Sequence, residues 1–254
     1  EYVAIVGLTI GGFLAGNDIK YIKKTVGALP SILKGSKFTK ALYVDLLAML
    51  FEILSKVRKE GLMSIEADVE DPHASPIFGK YPTLQNDHHV MEFITDYLRM
   101  MVGGNLNTVE IESLMDMEIE THHHEVEVPG HVVSKVADGV PAFGIVVAVM
   151  GVVNVMGSVG QPPAVLGKMI GGALVGTFLG ILISYGFVAP VASLLEQKSH
   201  ESSKIYQCIK VVLLASMSGY APQVAVEFGR KVLESGVRPS FRELEDELKA
   251  RKGK

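Results

Sequence analysis

Residues 141–195 read PAFGIVVAVMGVVNVMGSVGQPPAVLGKMIGGALVGTFLGILISYGFVAPVASLL, and this stretch decides the fold. It contains two long apolar runs, 141–161 and 164–195, joined by the uncharged turn GQPP at 160–163, and Lys168 is its only charged residue. A helix needs about 20 apolar residues to cross a bilayer, so the pattern predicts a pair of membrane-spanning helices. Core helices of a soluble protein are the alternative, but adjacent uncharged runs of this length are hard to bury otherwise.

A third apolar run at 2–16 lies upstream, and the lysines beside the runs set the orientation, because cytoplasmic flanks carry the excess of Lys and Arg. These flanking residues are Lys20, Lys23, Lys24, Lys34, Lys37 and Lys40 after the first run, and Lys198, Lys204 and Lys210 after the last. The long middle segment and the tail are therefore expected in the cytoplasm and the turn outside. A cytoplasmic N-terminus would then require one more span upstream.

These flanks divide the chain into four predicted segments. They are a transmembrane helix at 1–18 (the second of four, with the first missing), a cytoplasmic helical domain at 19–140, a transmembrane helix pair at 141–191, and a cytoplasmic extension and tail at 192–254. Helical spacing of apolar residues from Thr39 to Lys59, with Gly61 as a stop, predicts one cytoplasmic helix, and Asp87 to Val102 a second. Capping boxes at 107–110 (NTVE) and 240–243 (SFRE) open two more. No strand pattern occurs, so we predict an all-α integral membrane protein with a helical cytoplasmic domain.

Composition excludes several function classes. The net charge of −4 offers no basic excess for nucleic acid, and the single Cys208 excludes an intrachain disulfide. The sequence contains no nucleophile motif or phosphate-binding loop, which argues against an enzyme and against a cofactor. Adjacent histidines at 88–89 and 122–124 would point in different directions on a helix, so we interpret them as solvated side chains and expect no metal site.

Small residues recur every fourth position in the apolar runs, a spacing that lets helix backbones approach closely in lipid. The repeats are Gly172, Gly176 and Gly180, then Gly144 and Ala148, then Gly7, Gly11 and Ala15. The longer runs contain no Asp, Glu or His in 141–195. A conducted proton would therefore need a carboxylate from another chain.

Two prolines lie in this region. Pro141 can be read simply as the first residue of its helix, where the missing N–H costs nothing. Pro190 falls inside a long helical pattern and is expected to kink it near the cytoplasmic side. The hydroxyl of Thr177 is expected to bond to its own helix, as hydroxyls in membrane helices commonly do.

Four motifs resemble the MotA family of flagellar motor stator subunits, within the wider MotA/TolQ/ExbB group. They are PAFGIVVAVMG at 141–151, VGTFLGIL with YGF at 175–187, GYAP with AVEFGRK at 219–231, and RPSF at 238–241. The resemblance covers nearly the whole chain and implies a homo-oligomeric ring in which five copies surround two copies of MotB. It further implies that MotB supplies a proton-binding Asp and a peptidoglycan anchor, that ion flow turns the ring against the rotor protein FliG, and that the assembly lies in the bacterial inner membrane.

The resemblance also assigns roles to single residues. Pro141 and Pro190 correspond to the family's two coupling prolines, and Arg58 and Glu66 to its rotor-facing charges. The simpler interpretation of Arg58 is a cation at a helix C-terminus, and that of Glu66 a solvated carboxylate.

The expected ion is H⁺, because Ala148 stands where sodium-driven relatives tend to carry Thr, and Thr177 is expected to line the path. The alternatives are a sodium-driven stator subunit, an ExbB/TolQ-type proton-driven energiser, and a non-conducting membrane scaffold.

Overall fold

The chain is helical throughout the part that the computed structural model describes, residues 2–104 and 107–252, and no strand occurs within those ranges. This confirms the predicted all-α class. The helices are α1 (Tyr2–Ala15), α2 (Ile19–Ala28), α3 (Lys40–Glu60), α4 (Glu66–Glu70), α5 (Pro82–Gln85), α6 (His88–Gly103), α7 (Thr108–Met156), α8 (Pro163–Ile183), α9 (Ala189–Met217), α10 (Pro222–Val232) and α11 (Phe241–Lys252). Short 3-10 turns lie at Leu29–Leu33, Leu62–Ile65 and Phe78–Lys80, and a π-turn at Ser184–Val188.

The helices form two compact units. The first, called the apolar unit, comprises the described residues up to Gly35 together with His124–Ser199. The second, called the globular unit, comprises Ser36–His123 and the described residues from His200 onward. Both α7 and α9 contribute residues to each unit, so two of the boundaries fall within helices, while the boundary at Gly35 lies in the loop before α3.

The apolar unit turns its large hydrophobic side chains outward. Val153, Phe178 and Val149 are 66%, 62% and 57% exposed, an arrangement that a water-soluble surface does not favour. Two helical stretches are long and apolar enough to cross a membrane: α7 (Thr108–Met156), and Pro163–Met217, which comprises α8, the π-turn and α9. The pair Val3–Ala15 and Ile19–Leu33 passes the same test when taken together, with a bend of 120° between its two parts. The outward apolar faces and these lengths identify a membrane protein.

The helix that contains Pro141 does not begin there. The simple expectation of a proline at the first helical position is wrong, because α7 runs unbroken from Thr108 to Met156 with Pro129 and Pro141 inside it. An internal proline removes one helical hydrogen bond, and helices in apolar surroundings tolerate this when a neighbouring helix supplies a replacement donor. Pro190, by contrast, lies within a long helical stretch as predicted, just after the π-turn that joins α8 to α9.

The globular unit has a conventional buried core. Tyr43, Leu46 and Leu47 of α3 and Tyr97 of α6 are at most 2% exposed. They pack in one cluster with side chains from later helices, among them Ile205, Cys208, Ile209 and Val212 of α9, Ala225 and Val226 of α10, and Leu244 and Leu248 of α11. Burial raises the pKa of the Cys208 thiol to about 12, so this thiol stays protonated and inert in the folded chain.

Caps delimit the helices of the globular unit where the sequence indicated. Thr39 caps α3 by accepting the N–H of Leu42, and Gly61 ends it with a positive φ of 90°. Asp87 caps α6 in the same way as Thr39 caps α3. These local hydrogen bonds confirm the predicted helices.

Both predicted capping boxes are present as well. Asn107 and Glu110 exchange backbone-to-side-chain hydrogen bonds at the start of α7. Ser240 and Glu243 do the same at the start of α11. The ammonium of Lys40 also donates to Glu243, and this contact, together with the Ser240 N–H, lowers the pKa of that carboxyl to about 2.

Candidate functional site

α7 and α8 touch backbone to backbone at three glycines. A Cβ placed on Gly144 would lie 2.8 Å from the carbonyl oxygen of Gly176 and 3.1 Å from Cα of Gly180. A Cβ on Gly180 would lie 3.0 Å from Cα of Gly144 and from the carbonyl oxygen of Val140. Only glycine permits this approach, because a larger residue would meet main chain that cannot rotate away. The predicted packing role of Gly176 and Gly180 therefore has a specific partner within the chain, and half-buried Gly172 lies one turn before them.

Other glycines of the predicted packing faces stay uncovered. Among the described residues, nothing lies within 4 Å of a Cβ built on Gly7, Gly11, Gly167 or Gly171. The spacing that predicts close helix contact therefore holds for one face of α8 within the chain, while Gly167 and Gly171 of α8 and Gly7 and Gly11 of α1 remain accessible.

Pro141 lies half-buried, one turn before this contact. Its missing N–H leaves the carbonyl of Ala137 without its usual helical donor. The hydroxyl of Ser184 donates to that carbonyl at 2.6 Å, and Ser184 is completely buried. Ser184 is one of the few polar residues of the apolar runs, and no role was predicted for it, although its place four residues after Gly180 continues the stripe of small residues and could have revealed one.

Pro190 is exposed and follows the π-turn directly. The N–H of Ala189 bonds to the carbonyl of Ser184, five residues earlier, which is the wider ring of a π-turn. Such a turn is one of the recognised causes of helix bending, so the predicted bend at Pro190 coincides with an irregular stretch of backbone.

Ala148 and Thr177 both lie at the contact between α7 and α8. Ala148 is buried, and its backbone nitrogen lies 3.5 Å from a Cβ placed on Gly176. Thr177 is half-buried, and its Cα lies 3.4 Å from a Cβ placed on Gly144. The structure thus brings four predicted coupling or packing residues, Ala148, Thr177, Gly176 and Gly180, into one helix contact.

Arg58 and Glu66 lie apart from that contact, in the globular unit. Arg58 is exposed in the last turn of α3 and donates from Nη1 to the carbonyl of Gly219 at 3.2 Å. Glu66 is exposed as the first residue of α4, beyond the turn Leu62–Ile65. Both charges are therefore available to a partner, and Arg58 is also held by the turn at Gly219, where φ is +85°.

An ion pair between a buried carboxylate and a partly exposed lysine supports the segment beside Glu66. The carboxylate of Asp68, 3% exposed, accepts from the ammonium of Lys56 at 2.7 Å and from the hydroxyl of Ser75 at 2.6 Å. A buried carboxylate needs such partners, and these tie α4 to α3 and to the following loop.

The histidine pair at the start of α6 has an acidic neighbour that the sequence analysis did not consider. The possible ligand atoms of His88, His89 and Glu92 lie within 4.8 Å of one another, and all three side chains are exposed. Glu92 reaches His88 because residues four apart share a helix face. The expectation that the chain holds no metal stays a prediction.

Comparisons with known proteins agree with this architecture. The family described as motility protein A N-terminal matches residues 1–61, and the MotA/TolQ/ExbB proton channel family matches residues 85–208. Motility protein A of Escherichia coli is 54% identical over 98% of this chain and 85% of its own length. Chemotaxis protein LafT of Vibrio parahaemolyticus is 30% identical over 100% of this chain and 89% of its own length.

Two solved structures share the fold. The flagellar MotAB stator complex from Bacillus subtilis matches with a TM-score of 0.69 and 26% identity, over 89% of this chain and 80% of the matched chain. The C. jejuni MotAB structure matches with a TM-score of 0.72 and 19% identity, over 92% and 83%, and shows likeness of fold alone. Sequence and fold together place the chain among channel subunits and not among enzymes. The chain belongs to the motility protein A group of the MotA/TolQ/ExbB proton channel family and is a flagellar stator subunit.

Proposed function

We propose that this chain, together with a MotB-type partner, forms a transmembrane proton path and converts proton flow into torque on the rotor protein FliG. One observation carries the proposal. The apolar helices contain no Asp, Glu or His in residues 141–195, yet they are packed around glycines, a proline and a π-turn. Such helices can frame a path and bend, but they cannot themselves bind the proton.

The proton-binding carboxylate is therefore assigned to the partner. An ionisable group in a bilayer is costly and is kept where it serves a path, so one chain can supply it while another forms the surrounding walls. The names of the solved structures that match this chain pair MotA with MotB, which supports a MotB-type partner.

The partner and further copies of this chain would cover the glycine faces that remain accessible. A Cβ built on Gly7 or Gly11 of α1, or on Gly167 or Gly171 of α8, has no described neighbour within 4 Å. Faces of this kind favour close helix contact in lipid. We propose that they contribute to a homo-oligomeric ring, of five copies in this family's pattern, around the partner helices.

Torque would pass from the π-turn beside Pro190 to the exposed charges of the globular unit. The π-turn before Pro190 gives a long helix a place to bend, and α9 continues from it into the globular unit's core. Arg58 and Glu66 carry opposite charges on exposed positions. Complementary charges on FliG would steer the contact and make it sensitive to salt.

Location and ion follow from the same features. The lysines that follow the first and last apolar runs favour the cytoplasm for the globular unit, and the membrane is then the bacterial inner membrane. Ala148 offers no side-chain oxygen at the helix contact, whereas Na⁺ would need several oxygen ligands. We therefore propose H⁺ as the transported ion.

The experiment uses cells that lack their own stator and receive the full protein and its MotB partner. Pro190→Ala should abolish or strongly reduce swimming while membrane insertion stays normal. Arg58→Glu should impair swimming and be rescued by a compensating charge change in FliG, whereas Arg242→Glu, at an exposed position of α11, serves as the matched control.

Three outcomes would count against the proposal. Unchanged swimming with Pro190→Ala would remove the bend from the mechanism. Equal defects from Arg58→Glu and Arg242→Glu would show that general charge, and not a rotor contact, matters. Arrest of swimming in sodium-free medium would replace H⁺ by Na⁺.

A further inference from the structure

Ser184 connects the missing backbone hydrogen bond at Pro141 to the π-turn before Pro190. Its hydroxyl donates at 2.6 Å to the carbonyl of Ala137, the group that Pro141 deprives of a helical donor. The contact is fully buried, in surroundings where an unpaired carbonyl is costly because no water reaches it. The hydroxyl therefore replaces the missing hydrogen bond of α7 with one that comes from another helix.

The same residue also begins the π-turn. The backbone carbonyl of Ser184 accepts the N–H of Ala189, the residue immediately before Pro190. One residue is thus bonded through its side chain to the irregular point of α7 and through its main chain to the irregular point that precedes α9.

The close approach of the two helices makes this contact possible. Gly176, Gly180 and Ser184 follow one another at four-residue spacing on α8 and its continuation, so they share a face. Gly180 already lies against the main chain of Val140 and Gly144. A serine one turn further is then short enough to fit and long enough to reach Ala137.

We propose that Ser184 is a positioning residue that makes the helical turn at Pro141 and the π-turn before Pro190 move as one element. The proposal rests on the proposed function, in which these two prolines transmit the ion step to the globular unit. Without the Ser184 hydroxyl, the π-turn could shift along α8 without displacing α7. Part of the helix motion produced by each ion step would then not reach the globular unit.

A double-mutant cycle tests the hydrogen bond itself. Thermal unfolding of the purified complex with MotB is compared for the parent, Ser184→Ala, Pro141→Ala and the double variant. Ser184→Ala should lower the midpoint in the parent, since a buried hydrogen bond between membrane helices shifts an equilibrium constant by about 3- to 20-fold. In the Pro141→Ala background the alanine N–H serves the Ala137 carbonyl, so the same change should have a much smaller effect. Equal effects in both backgrounds would overturn the proposal.

Motor torque tests the coupling role. Ser184→Ala should lower the torque of bead-loaded motors while insertion and partner binding stay normal, and Ser184→Cys, a weak donor of similar size, should fall between it and the parent. Ser193→Ala removes an exposed hydroxyl on α9 and should leave torque unchanged. Full torque with Ser184→Ala would overturn the coupling role, even if the melting midpoints show that the Ser184 and Pro141 substitutions are not additive. A parent chain that gives no torque with MotB contradicts the proposed function instead, and the melting cycle still decides the hydrogen bond.

Discussion

Replacing Gly144 with alanine tests whether the backbone contact between α7 and α8 holds the apolar unit together. The new Cβ would lie 2.8 Å from the carbonyl oxygen of Gly176, whereas ordinary van der Waals contact begins at 3.4 Å. The helices must therefore separate locally by about 0.6 Å, the difference between those two distances. Overpacking of this kind costs about 1–3 kcal/mol, and the better helix propensity of alanine offsets up to about 1 kcal/mol. We expect a net destabilisation of about 1–2 kcal/mol.

Gly27→Ala provides the matched control. Gly27 lies on α2, is exposed, and has no described residue within 4 Å of a Cβ at that position. Only the gain in helix propensity applies there, so we expect no loss of stability. The assay is thermal unfolding of the purified complex in detergent, where about 2–4 °C per kcal/mol is expected for a chain of this size. Equal midpoints for Gly144→Ala and Gly27→Ala would refute the close-packing argument.

Three further predictions concern the globular unit. The pKa of Glu243 is depressed, so its contact with Lys40 stabilises the folded chain at pH values above the ordinary carboxyl pKa of 4.5. This stabilisation is lost as the pH falls towards about 2. An increase in the amide exchange of α11 over that pH range would confirm it. Asp68→Ala should lower the free energy of unfolding by about 1–3 kcal/mol, because the buried Ser75 hydroxyl loses its acceptor while the partly exposed Lys56 ammonium can be solvated, and a urea midpoint equal to the parent's would contradict this. Cys208 should resist maleimide at about pH 8, near the ordinary thiol pKa, until the chain unfolds, and rapid labelling of folded protein would show that the thiol is accessible.

The charges at Arg58 and Glu66 and the contact of α7 with α8 depend on different physics. The charges act at the surface, where water and salt screen them, so single substitutions there should change the proposed rotor contact and leave the fold intact. The glycine contact and the Ser184 hydrogen bond lie in apolar surroundings, where small changes of volume or polarity are costly. Mutations of the first kind should therefore be rescued by a partner's mutation, and those of the second kind only by changes within this chain.

The sequence by itself determined the features that depend on near neighbours in the chain. The apolar runs around residues 141–195 predicted helices for a membrane, because a span depends only on its own length and hydrophobicity. Thr39 and Ser240 marked helix starts correctly, because a cap bonds to backbone two or three residues away. The motif resemblance to the family was likewise carried by contiguous stretches, and the comparisons confirmed it.

Only the tertiary structure decided how the prolines and glycines are used. Sequence spacing suggested that Gly176 and Gly180 pack against a helix, but not that Gly144 is the residue they meet. Pro141 was expected to begin a helix, because a proline inside a helix removes one backbone hydrogen bond. No residue nearby in sequence can replace that bond. The replacement donor, Ser184, is 47 residues away from Ala137, and it reaches the free carbonyl only after two helices have packed. A helix can therefore run through a proline when folding brings a donor from elsewhere. The four-residue spacing could place Ser184 on a packing face, but it could not say which carbonyl the hydroxyl meets.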